Sequence, residues 1–394
     1  MCEFLLEGKG TVAFTIIIMA STRRLLELML WLLPWLQMVK SGFSIHRYKF
    51  YKTWDNPVII PKDGVYLVSV IADPCDGCPL SLQARCRCQG KDALIVEAYA
   101  KGICSHAEVA VALRIYDRLY LKTNSQNVEN ASSFAVVYVG ELNTFYITVK
   151  GGFYSTRSPV TYTYQHTPQG WIEMKDAYKK TTFSVPTTGI YWVTGHIRPH
   201  RKSITMTVRS GSSDLFHVYG EKIKLVSTSG AFRLTAGSTI WAVTQDRLTY
   251  QPGTSLSIVY LVANEKSNTY PFKHLAFTAR TQENQFWWDK QVMDFKHVLT
   301  DYGYLYVDGY TEIRRTGSYM VSLRPDPDSS APPLVIPVLY VNGRAHWKVF
   351  AQQGVPIGAT ISINLQAGSY IFVKSFTFSI YETGTMFSIA FIQP

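Results

Sequence analysis

The sequence predicts an all-β protein built from three consecutive sandwich modules that follow a short apolar N-terminal segment. The 394 residues include 25 tyrosines and 20 phenylalanines, besides many Val, Ile and Thr residues, and such side chains suit a pleated, half-buried surface. Glycine and proline interrupt the chain about every ten residues after the N-terminal region, which is typical of short strands joined by turns. A strand pattern also recurs three times.

The N-terminal residues 1–44 are predicted to be a signal-peptide region. An arginine pair that begins at Arg23 precedes an apolar stretch from Leu25 to Val39, and Gly42 and Ser44 supply the small residues of a cleavage site. We therefore expect cleavage after Ser44.

Two further interpretations of the same segment stay open. Met19 is an alternative true start of the chain. The stretch is shorter than the ~20 residues of a comfortable membrane span, and Glu27 and Pro34 interrupt it, but an uncleaved type II anchor is the alternative to cleavage. Both alternatives follow the secretory route, and a secreted, extracellular protein is expected.

Cysteines cluster in the first module, at Cys75, Cys78, Cys86, Cys88 and Cys104. In an oxidising compartment such a cluster indicates disulfides. We predict that the first four form two disulfides, with Cys104 unpaired or bridging to another chain, because five cysteines cannot all pair internally. Zinc bound by the CxxC and CxC thiolates is the alternative. Asn130, in Asn-Ala-Ser, is a candidate glycosylation site.

The repeat is defined by strands that begin at Gly64, Gly189 and Gly317, which lie 125 and 128 residues apart. Each glycine is followed by a tyrosine two residues later and by alternating side chains, a pattern that predicts a strand leaving a tight turn. A second strand recurs 70, 67 and 70 residues beyond these glycines. Constant order at constant spacing predicts three modules, with boundaries at 45–143, 144–265 and 266–394.

A third landmark is a hairpin that lies between these two strands. Its turn contains Gly237 in the second module and Gly368 in the third. In the first module, Asp117-Arg118 is expected at the turn.

The third copy carries a more specific set of segments: Ala276–Arg280, Phe295–Gly303, Thr316–Tyr319, Leu339–Gly343, Leu365–Gly368 and Met386–Phe391. This succession resembles the globular head of the complement C1q family, which belongs to the wider C1q/tumour-necrosis-factor superfamily. The resemblance implies a ten-strand jelly-roll sandwich that associates as trimers. We expect three such modules in one chain to pack as an intramolecular pseudo-trimer, the alternative being a homo-trimer of chains.

The first copy departs most from the resemblance. Its opening strand is expected near Tyr48 to Lys52, only about 16 residues before Gly64, so the module lacks roughly 25 residues of early strands. We therefore expect an incomplete first sandwich, whose exposed sheet edge needs a partner.

No nucleophile elbow, P-loop or HExxH motif occurs in the sequence, and we expect a non-enzymatic protein without a cofactor. The net charge of +11 is too small for a nucleic-acid-binding protein.

Asp326 and Asp328 are candidate calcium ligands, although two carboxylates are few for a cation that takes six or more oxygens. Trp287-Trp288 is either an exposed interface or part of a core.

The loop after each Gly-x-Tyr strand differs between the copies. The second module has Arg198, Arg201 and Lys202 there, within a region (160–265) that contains 11 Lys and Arg against 6 Asp and Glu. Since loops on a fixed sandwich carry specificity, these cations are candidate polyanion-binding residues; a merely solvated loop is the alternative.

The leading hypothesis is a secreted recognition or ligand protein that binds glycan, microbial surface or receptor. A structural extracellular protein that assembles through its sandwiches and cysteines is the second.

Overall fold

The computed structural model divides the chain into two compact units, residues 1–41 and 42–394, and every described residue belongs to the second. The structure describes residues 44–47, 57–72, 79–88, 91–101, 105–123, 132–141, 146–150, 164–166, 172–175, 181–197, 199, 203–220, 226–244, 254–261, 275–281, 285–287, 291–303, 305–328, 330–353, 357–376, 379–381 and 385–393. These residues form antiparallel sheets, and the predicted all-β class is confirmed.

The first part of the chain forms two four-stranded sheets. The strands are β1 (Ser44–Arg47), β2 (Val58–Ile59), β3 (Gly64–Ala72), β4 (Pro79–Cys88), β5 (Lys91–Lys101), β6 (Ser105–Leu113), β7 (Arg118–Thr123) and β8 (Ser133–Gly140). One sheet has the order β1-β8-β3-β6 and the other β2-β7-β4-β5. The chain thus moves repeatedly between two sheets, as in a jelly roll.

The middle of the chain forms two five-stranded sheets. The strands are β9 (Tyr146–Lys150), β10 (Tyr164–His166), β11 (Ile172–Lys175), β12 (Thr181–Ser184), β13 (Gly189–Ile197), β14 (Ile204–Ser210), β15 (Ser213–Gly220), β16 (Val226–Leu234), β17 (Thr239–Thr244) and β18 (Ser255–Tyr260). The orders are β10-β9-β18-β13-β16 and β11-β12-β17-β14-β15.

The last part also forms two five-stranded sheets and adds two short strand pairs. The strands are β19 (Ala276–Arg280), β20 (Gln285–Trp287), β21 (His297–Tyr302), β22 (Leu305–Val307), β23 (Tyr310–Glu312), β24 (Gly317–Arg324), β25 (Leu334–Val335), β26 (Pro337–Val341), β27 (Arg344–Lys348), β28 (Ala351–Gln352), β29 (Ala359–Leu365), β30 (Tyr370–Ser375), β31 (Ser379–Tyr381) and β32 (Met386–Gln393). The large sheets have the orders β21-β19-β32-β24-β29 and β22-β23-β30-β26-β27, and β20 pairs with β31 and β25 with β28.

The sheets that contain β3, β13 and β24, here called the inner sheets, share one register. Gly64 is opposite Leu113, Gly189 is opposite Leu234 and Gly317 is opposite Leu365. This register defines equivalent positions, which are counted from these glycines and leucines. The module boundaries inferred from the sequence stay a prediction.

One hydrogen bond recurs at the start of the three equivalent strands. The hydroxyl of Tyr66 donates to the carbonyl of Lys62 at 2.7 Å, and that of Tyr191 donates to Thr187 at 2.6 Å. Tyr319 makes the same bond with Arg315. The three tyrosine rings are fully buried, and because a buried hydroxyl needs a partner, the bond fixes the turn before each strand.

Alternation of side chains along the inner sheets gives each strand two apolar faces. In β3, Tyr66, Val68 and Val70 pack into the core between the two sheets of the first pair. Val65 and Leu67 point to the other face and are also fully buried. A sheet that is buried on both faces reads as a continuous apolar run, and every residue of β3 is buried.

Two local expectations need revision. The first pair's edge strand is β1 at Ser44–Arg47, which pairs with β8; it precedes the expected segment 48–52, which lies outside the described residues. Each sheet of this pair has four described strands, one fewer than in the other pairs. The residue with positive φ in the first hairpin turn is Tyr116, at 69°, rather than Asp117 or Arg118.

Within the described part of the chain, no helix is long and apolar enough to cross a membrane.

Candidate functional site

Most of the sequence-predicted site residues lie outside the described part of the chain. They are Cys75, Cys78, Cys104, Asn130, Arg198, Arg201, Lys202 and Trp288. Trp287 is described only through the backbone of β20, which pairs with β31. The predicted roles of all these residues stay predictions.

Two predicted cysteines are bonded to each other. Cys86 and Cys88, at the end of β4, form a disulfide. With the carboxylate of Asp117 they make a group of three donors that all lie within 4.8 Å of one another. A structural zinc site takes four ligands, with the cysteines as thiolates, so this group fits zinc poorly while the disulfide is intact.

The two candidate calcium ligands are engaged separately. Asp326 Oδ2 lies 3.3 Å from Nη1 of the buried Arg324. Asp328 Oδ1 accepts hydrogen bonds from the backbone N–H and the hydroxyl of Ser330, both at 2.6 Å. Because Asp326 is balanced by a guanidinium and Asp328 caps its own turn, the pair does not form a cation site on these contacts.

The inner sheets meet at a surface that the sequence did not single out as a site. A cluster of fully buried apolar residues there, here called the central apolar cluster, draws on all three inner sheets. Its members are Val65, Leu67, Ala110, Val137, Val139, Ile190, Trp192, Ala231, Val259, Leu261, Ala276, Met320, Ala390 and Ile392. Trp192, on β13, is its largest side chain.

Contacts between the inner sheets follow one rule. Strand β6 contacts β9, β13 and β18; the equivalent β16 contacts β19, β24 and β32. The next equivalent, β29, contacts β1, β3 and β8. Each inner sheet thus places its last strand against the centre of the following one, and the third returns to the first.

Hydrogen bonds across these contacts repeat in the same way. The backbone N–H of Ala110 donates to Ser257 Oγ at 2.8 Å. At the equivalent positions one sheet further on, the N–H of Ala231 donates to Ser388 Oγ at 2.9 Å. The third contact cannot repeat this bond, because the residue equivalent to Ser257 and Ser388 is Ala135.

Next to the apolar cluster lies a group of buried polar residues, here called the central polar cluster: Ser69, His106, Glu108, Thr194, His196, Ser227 and Ser229. The carboxylate of Glu108 is its most unusual member. Its Oε1 accepts hydrogen bonds from Trp192 Nε1 at 2.7 Å, Thr194 Oγ1 at 2.6 Å and Ser229 Oγ at 3.3 Å.

The carboxyl of Glu108 has a raised pKa. Burial raises the pKa of its carboxyl to about 7, and the three donated hydrogen bonds only partly oppose this. Its Oε2 atom has no hydrogen-bond partner among the described residues. A buried carboxyl with one unsatisfied oxygen favours the protonated form. Near neutral pH the folded protein therefore contains both the protonated and the ionised form of Glu108.

His106 links three inner sheets. Its Nε2 lies 2.9 Å from Ser69 Oγ, and its Nδ1 lies 2.5 Å from Ser227 Oγ; Ser69 in turn reaches the carbonyl of Thr360 at 3.5 Å. Burial, and to a lesser extent the neighbouring His196, holds the pKa of His106 well below its usual range. The ring is therefore neutral, with a hydroxyl at each nitrogen.

The cluster does not have the geometry of a hydrolase. A serine nucleophile needs a histidine base oriented by a third group, and room for substrate. Ser69 and His106 lie at hydrogen-bond distance, but the other imidazole nitrogen faces Ser227 rather than a carboxylate. The adjoining cavity, which Trp347 and Lys348 also line, measures about 20 Å³, enough for about one water molecule. The contacts join residues of the three inner sheets.

Sequence reasoning missed this cluster, although a signal was present. Glu108 lies in β6, whose sequence is SHAEVAVAL. Because side chains alternate between the two faces of a strand, His106 and Glu108 share one face of the sheet with Ala110 of the apolar cluster. Polar residues on the outward face of a strand ordinarily indicate solvent. Only the burial of that face by another sheet converts them into an interface.

Comparisons with known proteins give no close relative. No protein-family model matches the chain, and no curated protein matches it. Similar solved structures include GITRL from bushbaby, at 12% identity and a TM-score of 0.22, covering 30% of this chain and 95% of that one. A tandem CBM22-1–CBM22-2 domain from Paenibacillus barcinonensis has 11% identity and a TM-score of 0.19, with coverages of 62% and 98%. An archaeal virus protein described by a triple jelly-roll fold and turret assembly has 10% identity and a TM-score of 0.18, with coverages of 90% and 89%. Values this low carry no argument about function.

Proposed function

We propose that the chain is a secreted, non-enzymatic recognition protein whose three jelly-roll modules close into an intramolecular pseudo-trimer and present binding loops. The observation that carries the proposal is the cyclic order of contacts, in which β6, β16 and β29 each pack against the centre of the next inner sheet. Head-to-tail contacts of this kind close into a ring when the rotation fits.

A ring within one chain is favoured because the three modules are covalently connected. Tethered modules meet at an effective concentration set by their connectors, so association needs no second molecule. The apolar contact between them is extensive: Leu67, Trp192 and Met320, at equivalent positions of the three inner sheets, are each no more than 1% exposed. These side chains would otherwise form exposed apolar patches, which soluble proteins avoid.

The ring would place three different loops at one end. Strands β3, β13 and β24 run in equivalent register and end at Ala72, Ile197 and Arg324. The segments that follow carry cysteines in the first module, Arg198, Arg201 and Lys202 in the second, and Asp326 with Asp328 in the third. Non-identical loops on a fixed scaffold suit recognition of a ligand.

The proposed ligand class is an anionic glycan, at a microbial or host surface or on a receptor. The test is retention on immobilised heparin, with lipopolysaccharide as a second surface. Replacing Arg198, Arg201 and Lys202 by serine is expected to lower the salt concentration at which the protein elutes, because exposed charge contacts weaken as the screening length falls.

A matched control removes the same charge elsewhere. Lys91, Arg344 and Lys348 are exposed cations on strands, and their replacement by serine should leave retention closer to that of the wild type. Equal losses in the two triple variants would mean that net charge, rather than the loop, governs binding. Unchanged retention in the loop variant would reject the basic loop as the binding site.

A structural role is the second candidate, and one observation favours it. The Cys86–Cys88 bond leaves Cys75, Cys78 and Cys104 in the first module, an odd number that can link chains. Non-reducing electrophoresis of the secreted protein separates the candidates. Disulfide-linked polymers without ligand binding would support the structural role, and a monomeric band that binds saturably would support recognition.

A further inference from the structure

Strand pairing brings two sulfurs and a carboxylate together at one end of the first pair of sheets. Cys86 and Cys88 are separated by one residue on β4, so their side chains lie on the same face of the sheet. Arg87, between them, is opposite Arg118 of the neighbouring β7. Continued by one residue, that register places Cys88 opposite Asp117. The two sulfurs and a carboxylate oxygen of Asp117 all lie within 4.8 Å of one another.

These donors are largely shielded from water. Cys86 is fully buried in the core of the first pair of sheets, and the partly buried Cys88 packs against that core. Asp117 is 8% exposed, and its Oδ2 accepts the backbone N–H of Arg114 at 2.8 Å. It has no ion-pair partner among the described residues. Because a buried carboxylate is ordinarily paired with a cation or bound to a metal ion, Asp117 is suited to bind a cation.

The other two modules form the same hairpin turn without such donors. The N–H of Asp117 donates to the carbonyl three residues before it, and Ser238 and Ser369 make the equivalent bond in the second and third modules. Cys86 lies opposite the second residue after Asp117. The residues in the same place relative to the two serines are Ser210 and Val341. Since the turn closes twice without sulfur or carboxylate at these positions, the three donors indicate a role beyond folding.

Cys86 and Cys88 are joined by a disulfide that encloses a single residue. In the loop-closure account, a disulfide stabilises a protein by restricting the unfolded chain, and short loops gain least. This bond therefore contributes little to the stability of β4, which is hydrogen-bonded to β5 on one side and to β7 on the other. Its reduction should leave the sandwich folded, with two thiols beside Asp117.

We propose that Cys86, Cys88 and Asp117 form a zinc site that is gated by the redox state of the two cysteines. Two molecules of a small thiol reduce the disulfide: they become one small-molecule disulfide, and the two cysteine sulfurs each gain an electron and a proton. Zn²⁺ then displaces both thiol protons and binds two thiolates and one carboxylate. Reaction with a small-molecule disulfide reverses these steps, forms the Cys86–Cys88 bond again and releases the ion.

The mixed donor set favours zinc over other cations. Thiolate and carboxylate are both ordinary zinc ligands, whereas calcium and magnesium take oxygen ligands and copper(I) favours sulfur. Zinc bonds are about 2.0–2.3 Å long, so donors within 4.8 Å of one another reach one central ion by small side-chain movements. Three protein ligands leave the fourth position of a tetrahedral zinc ion to water, as in open zinc sites.

The test is zinc binding by the full chain in which the other four cysteines are replaced by serine: Cys2, Cys75, Cys78 and Cys104. The protein is reduced with dithiothreitol, freed of the reagent under argon, dialysed against Zn²⁺ and analysed for bound metal. One zinc ion per chain is expected after reduction and none before it. Adding oxidised glutathione should release the ion. The inference concerns the first module alone and depends neither on the ring nor on glycan binding.

Asp117→Asn tests the carboxylate. Asparagine keeps an oxygen for the N–H of Arg114, and so keeps the turn, but it is not a charged ligand. Zinc binding should weaken about tenfold or more, since even the partners that only orient a ligand are worth about that much. Binding of copper(I) by the two sulfurs should be unchanged.

Asp92→Asn is the matched control for this charge. Asp92 is opposite Arg87 in the β4–β5 pair, so its side chain lies on the other face of the sheet from the two sulfurs. Its replacement should leave zinc binding equal to that of the parent protein.

A second variant covers the case in which replacing four cysteines prevents folding. Cys88→Ser alone, in the otherwise wild-type chain, should bind one zinc ion fewer than the reduced wild type. The thermal unfolding midpoint of each protein shows that it is folded.

Three results would overturn the inference. They are no bound zinc in the reduced and folded chain, equal zinc binding by the oxidised and reduced proteins, and equal zinc affinity in Asp117→Asn and its parent. An equal loss in Asp92→Asn would assign the effect to net charge rather than to a ligand, and would also contradict the proposal.

Discussion

The two clusters in the central interface, one apolar and one polar, are built on adjacent stretches of the same strands but follow different rules. In the apolar cluster the equivalent residues Leu67, Trp192 and Met320 differ in shape and agree in chemistry. At the position of Glu108 in the polar cluster, the equivalent residues of the other two inner sheets are Ser229 and Thr360, which differ from it in chemistry itself.

The difference indicates what each cluster contributes. Apolar burial is non-directional and stabilises almost any arrangement of such faces, whereas hydrogen-bonded polar groups are satisfied in one arrangement only. Glu108 meets Trp192 and Thr194 of the second inner sheet. Packed against a copy of its own sheet in the same geometry, it would meet Leu67 in place of Trp192 and Ser69 in place of Thr194, so the hydrogen bond from the indole N–H would be lost. The polar cluster therefore favours one order of modules.

The largest expected effect comes from Trp192, a member of the apolar cluster that donates a hydrogen bond to Glu108 of the polar cluster. Trp192→Ala removes a fully buried indole and should destabilise the protein by about 3–5 kcal/mol, the usual cost of deleting a core aromatic side chain. It also removes a donor from Glu108. Denaturant unfolding followed by circular dichroism measures the change.

Trp192→Phe sharpens this comparison, because it keeps a large apolar ring and removes only the N–H. Its cost should be nearer 0.5–1.5 kcal/mol, about the net contribution of one hydrogen bond, because Thr194 and Ser229 still donate to the same oxygen of Glu108. Equal losses in the two variants would mean that the hydrogen bond to Glu108, rather than apolar burial, dominates at this position.

The polar cluster should give stability a pH dependence. Because the pKa of Glu108 is raised to about 7 in the folded protein, the folded state holds a proton that the unfolded state releases near its ordinary value. This contribution is fully present below pH 4.5 and is lost as pH rises through 7; it amounts to about 3 kcal/mol. Relative to wild type, Glu108→Gln should gain that amount between pH 4 and pH 8.

Ser229→Ala is the control for this pH effect. It removes the longest of the three hydrogen bonds to Glu108 but keeps the titrating carboxyl, so its curve should run nearly parallel to that of the wild type. A Glu108→Gln difference that does not change with pH would contradict the account of the buried proton.

His106 should act in the opposite direction. Its pKa is lowered by burial, so its contribution is present above about pH 6.5 and is lost as pH falls toward the folded pKa. His106→Gln should lose about 1–3 kcal/mol at pH 7.5, through its hydrogen bonds, and should show a weaker decline in acid than the wild type. Unfolding free energies measured from pH 4.5 to 7.5 test this, and an equally steep decline in the variant would exclude His106 as the acid-sensitive group.

The smallest effect lies outside both clusters. Tyr116→Gly relieves a left-handed residue, worth about 1–2 kcal/mol, and loosens the unfolded chain by about 0.4–1 kcal/mol. A net stabilisation of between zero and about 1.5 kcal/mol should follow. A clear loss of stability would mean that the exposed tyrosine supports the fold.

The sequence predicted the strands well because local chemistry dictates them. The glycine and tyrosine of the repeat became β3, β13 and β24, each beginning at its glycine. Tyr116 was missed because nothing in a tyrosine indicates positive φ. Glu108 and His106 were missed for a different reason: their environment is created by a strand more than 80 residues away, and no local pattern contains that information.

The most direct test of the closed ring is small-angle X-ray scattering combined with light-scattering mass on the secreted chain. A compact globule of about 350 residues has a radius of gyration near 20 Å. The account predicts a monomer mass at about that radius, at every protein concentration. An extended monomer of clearly larger radius, or an obligate trimer of chains, would contradict the pseudo-trimer.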